Sequence, residues 1–418
     1  MTQQVIPKPS ANPGMGFVQF VALMAALMAT NALSIDAMLP ALPDISAALN
    51  LTSENQRQWV ITGYLLGFGT AQLFYGPLAD RFGRKPVLLI GLGAYAVLTL
   101  LAAFANSLET MIAIRALQGI AAASTRVLAI AIVRDCYAGR QMARVMSLTF
   151  FVFLAAPILA PSLGQAIMLV ASWHWIFLAL ALFGASSWTW ALLRLRETLN
   201  EADRRPLSVR SIGEAVRLTL TTRLSAGYML AATLMLGAMF GFVTSAQQVF
   251  FGALDSADLF VFIFAGVAAL MALSSLVNSR IVERIGMRRV SHGALLGYIG
   301  FAIVHAGVAL LGLETVWSFA VLQAGMMCCF GLVGSNFNAM AMEPLGHVAG
   351  TASSVQGFVT TTGGALIGFF IAQHYDGTVI PLTLGFAICP SIALVIVLIT
   401  ERGRLFGTGQ PITVKQAA

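Results

Sequence analysis

Charged side chains are scarce in this chain of 418 residues. Aspartate, glutamate, lysine and arginine make up 10% of it, whereas 58% of the residues are hydrophobic. A soluble globular domain carries roughly 25% charged residues. So little charge cannot cover the water-exposed surface of a chain this long, and the mean hydropathy of +0.84 points the same way. The composition excludes an ordinary soluble domain and favours a protein surrounded mostly by lipid.

Lysine and cysteine are also rare, and each shortage removes a class of function. The lysines are Lys8, Lys85 and Lys415, and none stands in the Gly-x-x-x-x-Gly-Lys-Ser/Thr loop that cradles nucleotide phosphates. An ATP-driven pump is therefore excluded for this chain. The four cysteines and five histidines show no metal-ligand spacing, so we expect neither a metal site nor a cofactor.

Apolar segments separated by breakers and charges divide the chain into about twelve candidate membrane spans. Crossing about 30 Å of hydrocarbon takes roughly 20 apolar residues in a helix, and a helix satisfies its own backbone inside the bilayer. The sequence thus predicts an all-α membrane protein. The expected spans are 16–41, 56–79, 87–105, 110–132, 143–170, 174–193, 224–250, 258–278, 291–311, 316–340, 349–374 and 379–400.

A polar stretch at 194–223 divides these spans six and six. It contains seven arginines, namely Arg194, Arg196, Arg204, Arg205, Arg210, Arg217 and Arg223. We therefore expect four parts. They are an N-terminal six-helix bundle (1–193), a linker loop (194–223), a C-terminal six-helix bundle (224–402) and a tail (403–418).

Basic residues lie almost entirely on one side of the predicted spans. If the N-terminus is inside, nearly all of them fall in the inner loops, the linker and the tail, and the outer loops hold only Arg57. This positive-inside bias predicts a multi-pass protein with both termini, the linker and the tail in the cytoplasm. Arginines dispersed over short membrane-flanking loops do not form a nucleic-acid-binding patch, so we expect no nucleic-acid partner.

Two similar loops indicate an internal repeat. Residues 80–85 (Asp-Arg-Phe-Gly-Arg-Lys) follow the second span, and residues 283–288 (Glu-Arg-Ile-Gly-Met-Arg) follow the eighth span, 203 residues later. Parallel repeats with a substrate site between them near the membrane midplane are an established transporter architecture. The repeat therefore favours a transporter built from two pseudo-symmetric halves.

The segment 76–86 (Gly-Pro-Leu-Ala-Asp-Arg-Phe-Gly-Arg-Lys-Pro) resembles the signature loop of the major facilitator superfamily. The resemblance implies a gate in which Asp80 sits at the positive N-terminal end of the eleventh span, near Ala349, and Arg84 pairs with Asp135. The alternative is an ordinary basic membrane anchor. The implied gating residues are Gly76, Asp80, Arg81, Gly83, Arg84, Lys85 and Asp135.

Four further stretches are similar to the bicyclomycin/chloramphenicol-resistance (Bcr/CflA) drug-efflux group of that superfamily: 34–36 with 39–43, 134–135, 172–177 and 349–354. The resemblance covers about residues 16–400. It implies a proton-coupled antiporter of the bacterial inner membrane that exports small, chemically varied compounds by alternating access. The implied partners are a small-molecule substrate, protons and the lipid bilayer. A dedicated exporter of a native metabolite, such as a sugar or an amino-acid derivative, is the alternative on the same fold; neither is an enzyme.

Asp36 is the candidate proton carrier. An ionised carboxylate inside a membrane span costs several kcal/mol, which makes protonation accessible; alternatively Asp36, four residues before Pro40, reaches interfacial water. Arg115, Gln118 and Gly119 form the Arg-x-x-Gln-Gly pattern of the superfamily's fourth helix. Arginine stays protonated, so Arg115 is expected either to bias Asp36, directly or with Gln118, or to be purely structural.

The candidate substrate-lining residues have weaker signals. Arg126 lies eleven residues after Arg115, close to the same helix face, where it can line the cavity or meet a carbonyl of a neighbouring helix. A methionine and phenylalanine cluster in the seventh span can form an adaptable pocket or simply face lipid or another helix. Asparagines deep in the tenth span should face the interior. These residues are Met235, Met239, Phe242, Asn336 and Asn338.

The fifth span partly matches an antiporter pattern. Where antiporters of the superfamily show Gly-x-x-x-Gly-Pro-x-x-Gly-Gly, this chain has Ala156, Ala160, Pro161, Gly164 and Gln165. The first two positions stay small, but Gln165 departs from the pattern. The match supports an exchanger, although proline kinks in a helix explain these residues equally well without any antiport.

Overall fold

The computed structural model describes residues 11–204 and 209–407. Within these ranges, side chains are described except at 139–140, 143, 150–154, 209–212, 215 and 346–349. Lys8, Arg205 and residues 408–418 of the predicted tail lie outside the described residues. Every regular element in the described ranges is helical, in agreement with the all-α fold class.

Fourteen α-helices occur in the described ranges, twelve of them long and two short. In chain order they are α1 (Phe17–Asp36), α2 (Leu42–Ala48), α3 (Gln58–Phe82), α4 (Arg84–Ala102), α5 (Leu108–Cys136), α6 (Gly139–Met168), α7 (His174–Arg194), α8 (Val209–Thr221), α9 (Arg223–Gln248), α10 (Phe260–Ile285), α11 (Met287–Leu310), α12 (Val316–Met342), α13 (Ala349–Gln373) and α14 (Ile380–Thr400).

Ten helical segments in the described ranges are long and apolar enough to cross a membrane. They comprise α1 continued through α2, α4, α5, α7 and α9 to α14. The chain is therefore a multi-pass membrane protein. Helix α3 is less apolar, since its contact face with α13 carries Gln58 and Gln72, and α6 contributes a shorter apolar segment, Ala155–Met168.

Among the differences from the expected boundaries, two change the course of the chain. The first span was expected to continue to residue 41, but α1 ends at Asp36, and a 3-10 turn (Leu39–Ala41) leads into α2. Pro40 explains the break, because proline has no N–H to donate and restricts the residue before it. The stretch 194–223, expected to be a loop, contains the helix α8.

The long helices pack in two sets that follow the chain order. In the first set, α3 and α4 pack against α5, α4 packs against α7, and α1 packs against α6. In the second set, α13 and α14 pack against α9, and α12 packs against α10 and α11. The main contacts between the sets are α3 with α13 and α6 with α10. These two helix pairs therefore connect the parts before and after the linker.

Glycines allow α3 and α5 to approach with their backbones almost in contact. A Cβ atom at Gly119 would collide with the carbonyl oxygen of Tyr64, and one at Gly67 would collide with that of Ala116. Small residues at helix contacts are typical of membrane bundles. Gly119 of the Arg-x-x-Gln-Gly pattern is therefore a packing residue that brings the preceding arginine close to α3.

The two copies of the repeat adopt the same turn. Gly83 separates α3 from α4 with φ +98°, and Gly286 separates α10 from α11 with φ +92°. Both values lie in a region that glycine alone enters without strain. We refer to the end of the molecule that carries Gly83 as the Asp80 end, and to the opposite end, where α3 begins and α13 finishes, as the Asn55 end.

Candidate functional site

Asp36 is the last residue of α1 and its side chain is buried, with 6% of its surface exposed. Within the described residues, neither a hydrogen-bond donor nor a cation contacts its carboxylate. Helix α6 packs tightly against the chain just after Asp36. A Cβ atom at Gly164 of α6 would collide with the carbonyl oxygen of Ala37. The antiporter-like segment of α6 therefore packs directly beside an acid that has no ionic partner among the side chains described.

Arg115 is completely buried and uses its guanidinium to join three helices. Its Nε donates to the Val60 carbonyl at 3.1 Å, Nη2 to the Ser34 carbonyl at 3.0 Å and Nη1 to Gln118 Oε1 at 2.7 Å. Its Cζ lies 4.5 Å from the ring centre of Tyr64, a cation–π contact. The direct Arg115–Asp36 ion pair considered from the sequence is not formed, because two carbonyls and an amide occupy the guanidinium.

A chain of hydrogen bonds continues from Gln118 back to α1. Gln118 Nε2 donates to Thr99 Oγ1 at 2.6 Å, and Thr99 Oγ1 donates to the Tyr95 carbonyl at 2.6 Å. Tyr95 Oη and Ser34 Oγ share a hydrogen bond of 2.7 Å. Arg115 and this chain hold the last turn of α1 from two sides, so they position Asp36 without touching its carboxylate.

The turn between α3 and α4 is held by ionic contacts at the Asp80 end. Arg84, 5% exposed, contacts Asp80 through Nη1 and donates from Nε to Asp135 Oδ2 at 3.0 Å. Glu197, just after α7, accepts the backbone N–H groups of Arg84 at 2.9 Å and Lys85 at 3.1 Å. A carboxylate therefore does cap a helix here, but it is Glu197 at the start of α4, which the sequence analysis did not single out.

The remaining residues of the signature loop lie around this turn. Asp80 is 42% exposed and its carboxylate contacts Arg84. The side chains at 346–349, which lead into α13 and include its first residue, are outside the described residues, so the expected Asp80 cap of α13 remains a prediction. Arg81 is exposed over the ring of Phe82. Lys85 Nζ donates to the Leu192 carbonyl at 2.9 Å, and a Cβ at Gly76 would lie 3.0 Å from Ser354 Oγ of α13.

At the Asn55 end, side-chain amides join the two helix sets. Asn55 Nδ2 donates to the carbonyls of Gln373 at 3.0 Å and Tyr375 at 3.2 Å, and its Oδ1 accepts from Gln248 Nε2 at 2.9 Å. Gln58 Nε2 donates to Gln248 Oε1 and to the Ala372 carbonyl, the latter at 2.9 Å. We call Asn55, Gln58, Gln248 and Gln373 the amide network; it connects α3 to α9 and α13.

Two titratable residues border the amide network. Arg57 Nη1 donates to Gln247 Oε1 at 2.6 Å, and Tyr375 Oη donates to the Gln248 carbonyl at 3.0 Å. Burial lowers the pKa of Arg57, an effect that Glu54 partly offsets, and burial raises the pKa of Tyr375. Arg57 and Tyr375 thus each add one polar contact at the edge of the amide network.

Three of the proposed substrate-lining side chains are packed inside the second helix set. Met235 is 1% and Phe242 is 4% exposed, and the Phe242 ring stacks on Phe264 at 5.4 Å. Asn336 Nδ2 donates to Asn278 Oδ1 of α10 at 2.9 Å. Met235 and Phe242 thus pack in the arrangement of the alternative, against other helices, whereas Asn336 faces α10 inside the helix set.

The other three candidates are more accessible. Met239 is half-buried, whereas Asn338 is exposed and accepts a 2.7 Å hydrogen bond from Gln356 Nε2 of α13. Arg126 is exposed as well, and it makes no hydrogen bond or ion pair with any described residue. Arg126 therefore meets no neighbouring carbonyl in the described part of the chain.

The amide network was not predicted, although amide side chains at the ends of three spans indicate it in the sequence. Asn55 and Gln58 begin the second span, Gln248 ends the seventh, and Gln373 ends the eleventh. Uncharged polar side chains thus accumulate at the same membrane boundary of three separate spans. Like the distribution of charges, the distribution of amides over the span ends therefore indicates that these four residues lie together.

Comparison with known proteins places this arrangement in a family. The sequence matches the Major Facilitator Superfamily over residues 23–369. It is 31% identical to a bicyclomycin resistance protein homolog of Haemophilus influenzae, over 90% of this chain and 94% of the relative. It is 30% identical to a chloramphenicol resistance protein of Pseudomonas aeruginosa, over 80% of this chain and 78% of the relative.

A solved structure shows the same fold. The crystal structure of the human organic anion transporter MFSD10 (TETRAN) superposes with a TM-score of 0.61, covering 92% of this chain and 99% of that protein. The two sequences are 20% identical, so the likeness concerns the course of the helices and not the chemistry of the site.

Proposed function

Because the chain belongs to the Major Facilitator Superfamily, in its bicyclomycin/chloramphenicol-resistance group, we propose that it exports small drug-like molecules from the cytoplasm in exchange for protons. Membership makes it a membrane transporter and not an enzyme. Our proposal adds three points to family membership: the coupling ion, the residue that carries it and the way access alternates. The contacts described above support one arrangement for each.

The proposed topology has twelve spans in two six-helix bundles, at 1–193 and 224–402, joined by the linker. Its support is the packing of the long helices in two sets and the shared turn at Gly83 and Gly286. Arg81, Arg84 and Arg134 lie at the Asp80 end, so the positive-inside rule assigns this end to the cytoplasm. The Asn55 end then faces the outside of a bacterial inner membrane.

The observation that carries proton coupling is the position of Asp36. Its carboxylate is buried at the end of α1 and has no ionic or hydrogen-bonded partner among the described residues. An ionisable side chain held in this way within a membrane protein marks a proton or ion pathway more often than a structural contact. In our proposal Asp36 takes up a proton from outside and releases it to the cytoplasm, while Arg115 fixes the turn that carries it.

The contacts between the two sets support our proposal of alternating access. The amide network joins α3 to α9 and α13 at the Asn55 end, which supports a closed outer gate in this arrangement. The signature loop with Asp80, Arg84 and Asp135 occupies the opposite end and would control the inner gate. Transport then requires the two ends to open in turn around a site between the sets.

The driving force is sufficient for drug resistance. One elementary charge crossing 100 mV yields about 2.3 kcal/mol, and a tenfold concentration ratio costs about 1.4 kcal/mol. Exchange of one proton for one neutral drug molecule can therefore hold a gradient of roughly fifty-fold.

The test is accumulation of a drug panel, including chloramphenicol, in a host that lacks its own efflux pumps. Cells that express the protein should accumulate less of at least one compound, and an uncoupler should abolish the difference. Purified protein in liposomes should move protons inward when that compound moves outward. If no compound shows uncoupler-sensitive export, the drug assignment fails; export that survives the uncoupler would overturn proton coupling.

A further inference from the structure

Arg126 lies on the face of α5 that points away from lipid. In the half of α5 towards the Asn55 end, Ala113, Leu117 and Ile120 are exposed and share one face. At about 100° per residue, Arg126 points roughly 180° away from Leu117 and roughly 120° away from Ile120. Its exposed side chain therefore does not belong to the apolar face that the helix presents to lipid.

The neighbours of Arg126 on its own face are small and buried. Ala122, one turn before it, and Ala129, nearly one turn after it, are each 0% exposed. From its exposure between two buried alanines, on the side of α5 away from the exposed apolar face, we infer that Arg126 lines an internal opening and not the outer surface. Ile130, 36% exposed, and Arg134, also exposed, continue the same face towards the Asp80 end, so the opening leads to that end.

In the described part of the chain, no carboxylate forms an ion pair with Arg126. In the described long helices, every aspartate and glutamate lies in the first or last turn. Arg126 is ten residues from the end of α5, about 15 Å along the helix, and Asp135 at that end is already engaged by Arg84. Asp36 lies near the level of Arg115, about 16 Å away along α5 in the other direction. The guanidinium is thus a cation without a carboxylate of its own.

The chemistry of this position selects a class of ligand. Arginine remains protonated, and its planar fork matches carboxylate, sulfonate and phosphate groups with two parallel hydrogen bonds. The flanking alanines leave room beside it for an apolar body. We propose, on the basis of the proposed transport function, that Arg126 binds an anionic group of the substrate and makes organic anions the preferred cargo of this transporter.

Such a preference changes the energetics of export. If one proton enters as one monoanion leaves, two elementary charges move in the direction favoured by an inside-negative potential. Each charge contributes a concentration ratio of roughly fifty-fold per 100 mV. An anionic substrate therefore gains a second factor of roughly fifty that a neutral substrate does not have.

The test measures binding separately from transport, using detergent-purified full-length protein. The probes are nalidixate and its primary amide, and toluenesulfonate and its sulfonamide, titrated at pH 7.5 by tryptophan fluorescence. The wild-type protein should bind each acid at least ten-fold more tightly than its neutral partner. Arg126→Gln should weaken the acids ten- to hundred-fold and the neutral partners less than two-fold, whereas Arg126→Lys should retain part of the preference.

Arg280→Gln is the matched control, since Arg280 is an exposed arginine at the Asp80 end of α10, outside the interior face of α5. It should leave all four affinities unchanged. Equal affinities for acid and neutral partner in the wild type, or equal losses for both in Arg126→Gln, would overturn the proposal. Because binding needs no proton gradient, a positive result stands even if uncoupler-sensitive export is not found, and the two failures remain distinguishable.

Discussion

Gln58 and Gln373 lie 315 residues apart, yet Gln373 Nε2 donates a 3.0 Å hydrogen bond to Gln58 Oε1. The first is the opening residue of α3 and the second is the last residue of α13. The bond is neutral at both ends and directional. Hydrogen bonds of this kind hold the two helices in one register. Because neither partner is charged, salt does not screen the contact.

Asn55→Ala should open the Asn55 end. The Asn55 side chain makes three hydrogen bonds across the two sets, and a buried hydrogen bond is worth about 0.5–1.5 kcal/mol net. The loss of three such bonds, about 1.5–4.5 kcal/mol, lowers the closed-to-open ratio by at least roughly ten-fold. The measurement is the distance distribution between spin labels at Ala48, exposed at the end of α2, and Ala257, after replacement of the four free cysteines.

Gln56→Ala provides the control for that experiment. Gln56 is in the same loop, but its side chain accepts from the backbone of Thr52 and Ser53 and does not reach the second set. It should leave the distances unchanged. Equal effects of Asn55→Ala and Gln56→Ala would show that the network does not hold the gate.

Most of the long helices could be predicted from the sequence because each of these corresponds to a long, continuous apolar run. Apolar runs of about 20 residues need no partner to be recognised, and ten of the twelve expected ranges coincide with described helices that are long and apolar enough to cross a membrane. The break at Asp36 was missed although Pro40 signals it. Helix α8 was missed because a short helix in a polar stretch lacks the apolar run that marks a membrane span.

The sequence indicated candidate residues of the site, but it could not indicate which groups they contact. Arg115 was recognised from its pattern, yet its partners are carbonyls of Val60 and Ser34, and no sequence feature distinguishes one backbone carbonyl from another. Glu197 was missed for a related reason. Its partners are two backbone N–H groups of α4, more than a hundred residues earlier, and only the folded chain brings them together.

Asp36→Asn should abolish uncoupler-sensitive export while the protein still folds and inserts. Asparagine has nearly the same shape and makes burial easier, but it cannot take up a proton. Drug accumulation and substrate-driven proton flux are the measurements. Asp44→Asn is the control, since Asp44 is an exposed acid on α2 and its neutralisation should change neither. Gradient-dependent export by the Asp36→Asn variant would rule out Asp36 as the obligatory carrier.

Arg115→Lys should impair transport although it keeps the positive charge. Lysine is a point charge on a flexible stem and cannot hold Val60, Ser34 and Gln118 with the geometry of a planar fork. Losing one charge-assisted hydrogen bond costs about 1.5–3 kcal/mol, so the melting temperature should fall and the turn before Asp36 should loosen. The measurements are thermal unfolding and the pH profile of transport. Wild-type values of both would refute a positioning role.

Asp80→Asn should shift the protein towards opening at the Asp80 end. If Asp80 also acts on the start of α13, its charge is worth about 0.3–1 kcal/mol when exposed and up to about 2 kcal/mol when partly buried. The ratio of closed to open should then fall roughly two- to thirty-fold. Asp135→Asn should act in the same direction by freeing Arg84, whereas Glu283→Gln in the second copy of the repeat should have a smaller effect.

The distance between spin labels at Phe82 and Ser353 reports this opening, since both side chains are exposed near the Asp80 end of α3 and α13. Glu197→Gln distinguishes gating from local folding. It removes the charge that caps α4 but leaves Asp80 in place, so it should lower stability without lengthening the distance. If Asp80→Asn loses transport while the distribution stays as in the wild type, the loop serves insertion or local folding, and the gate must be sought in the contacts between α6 and α10.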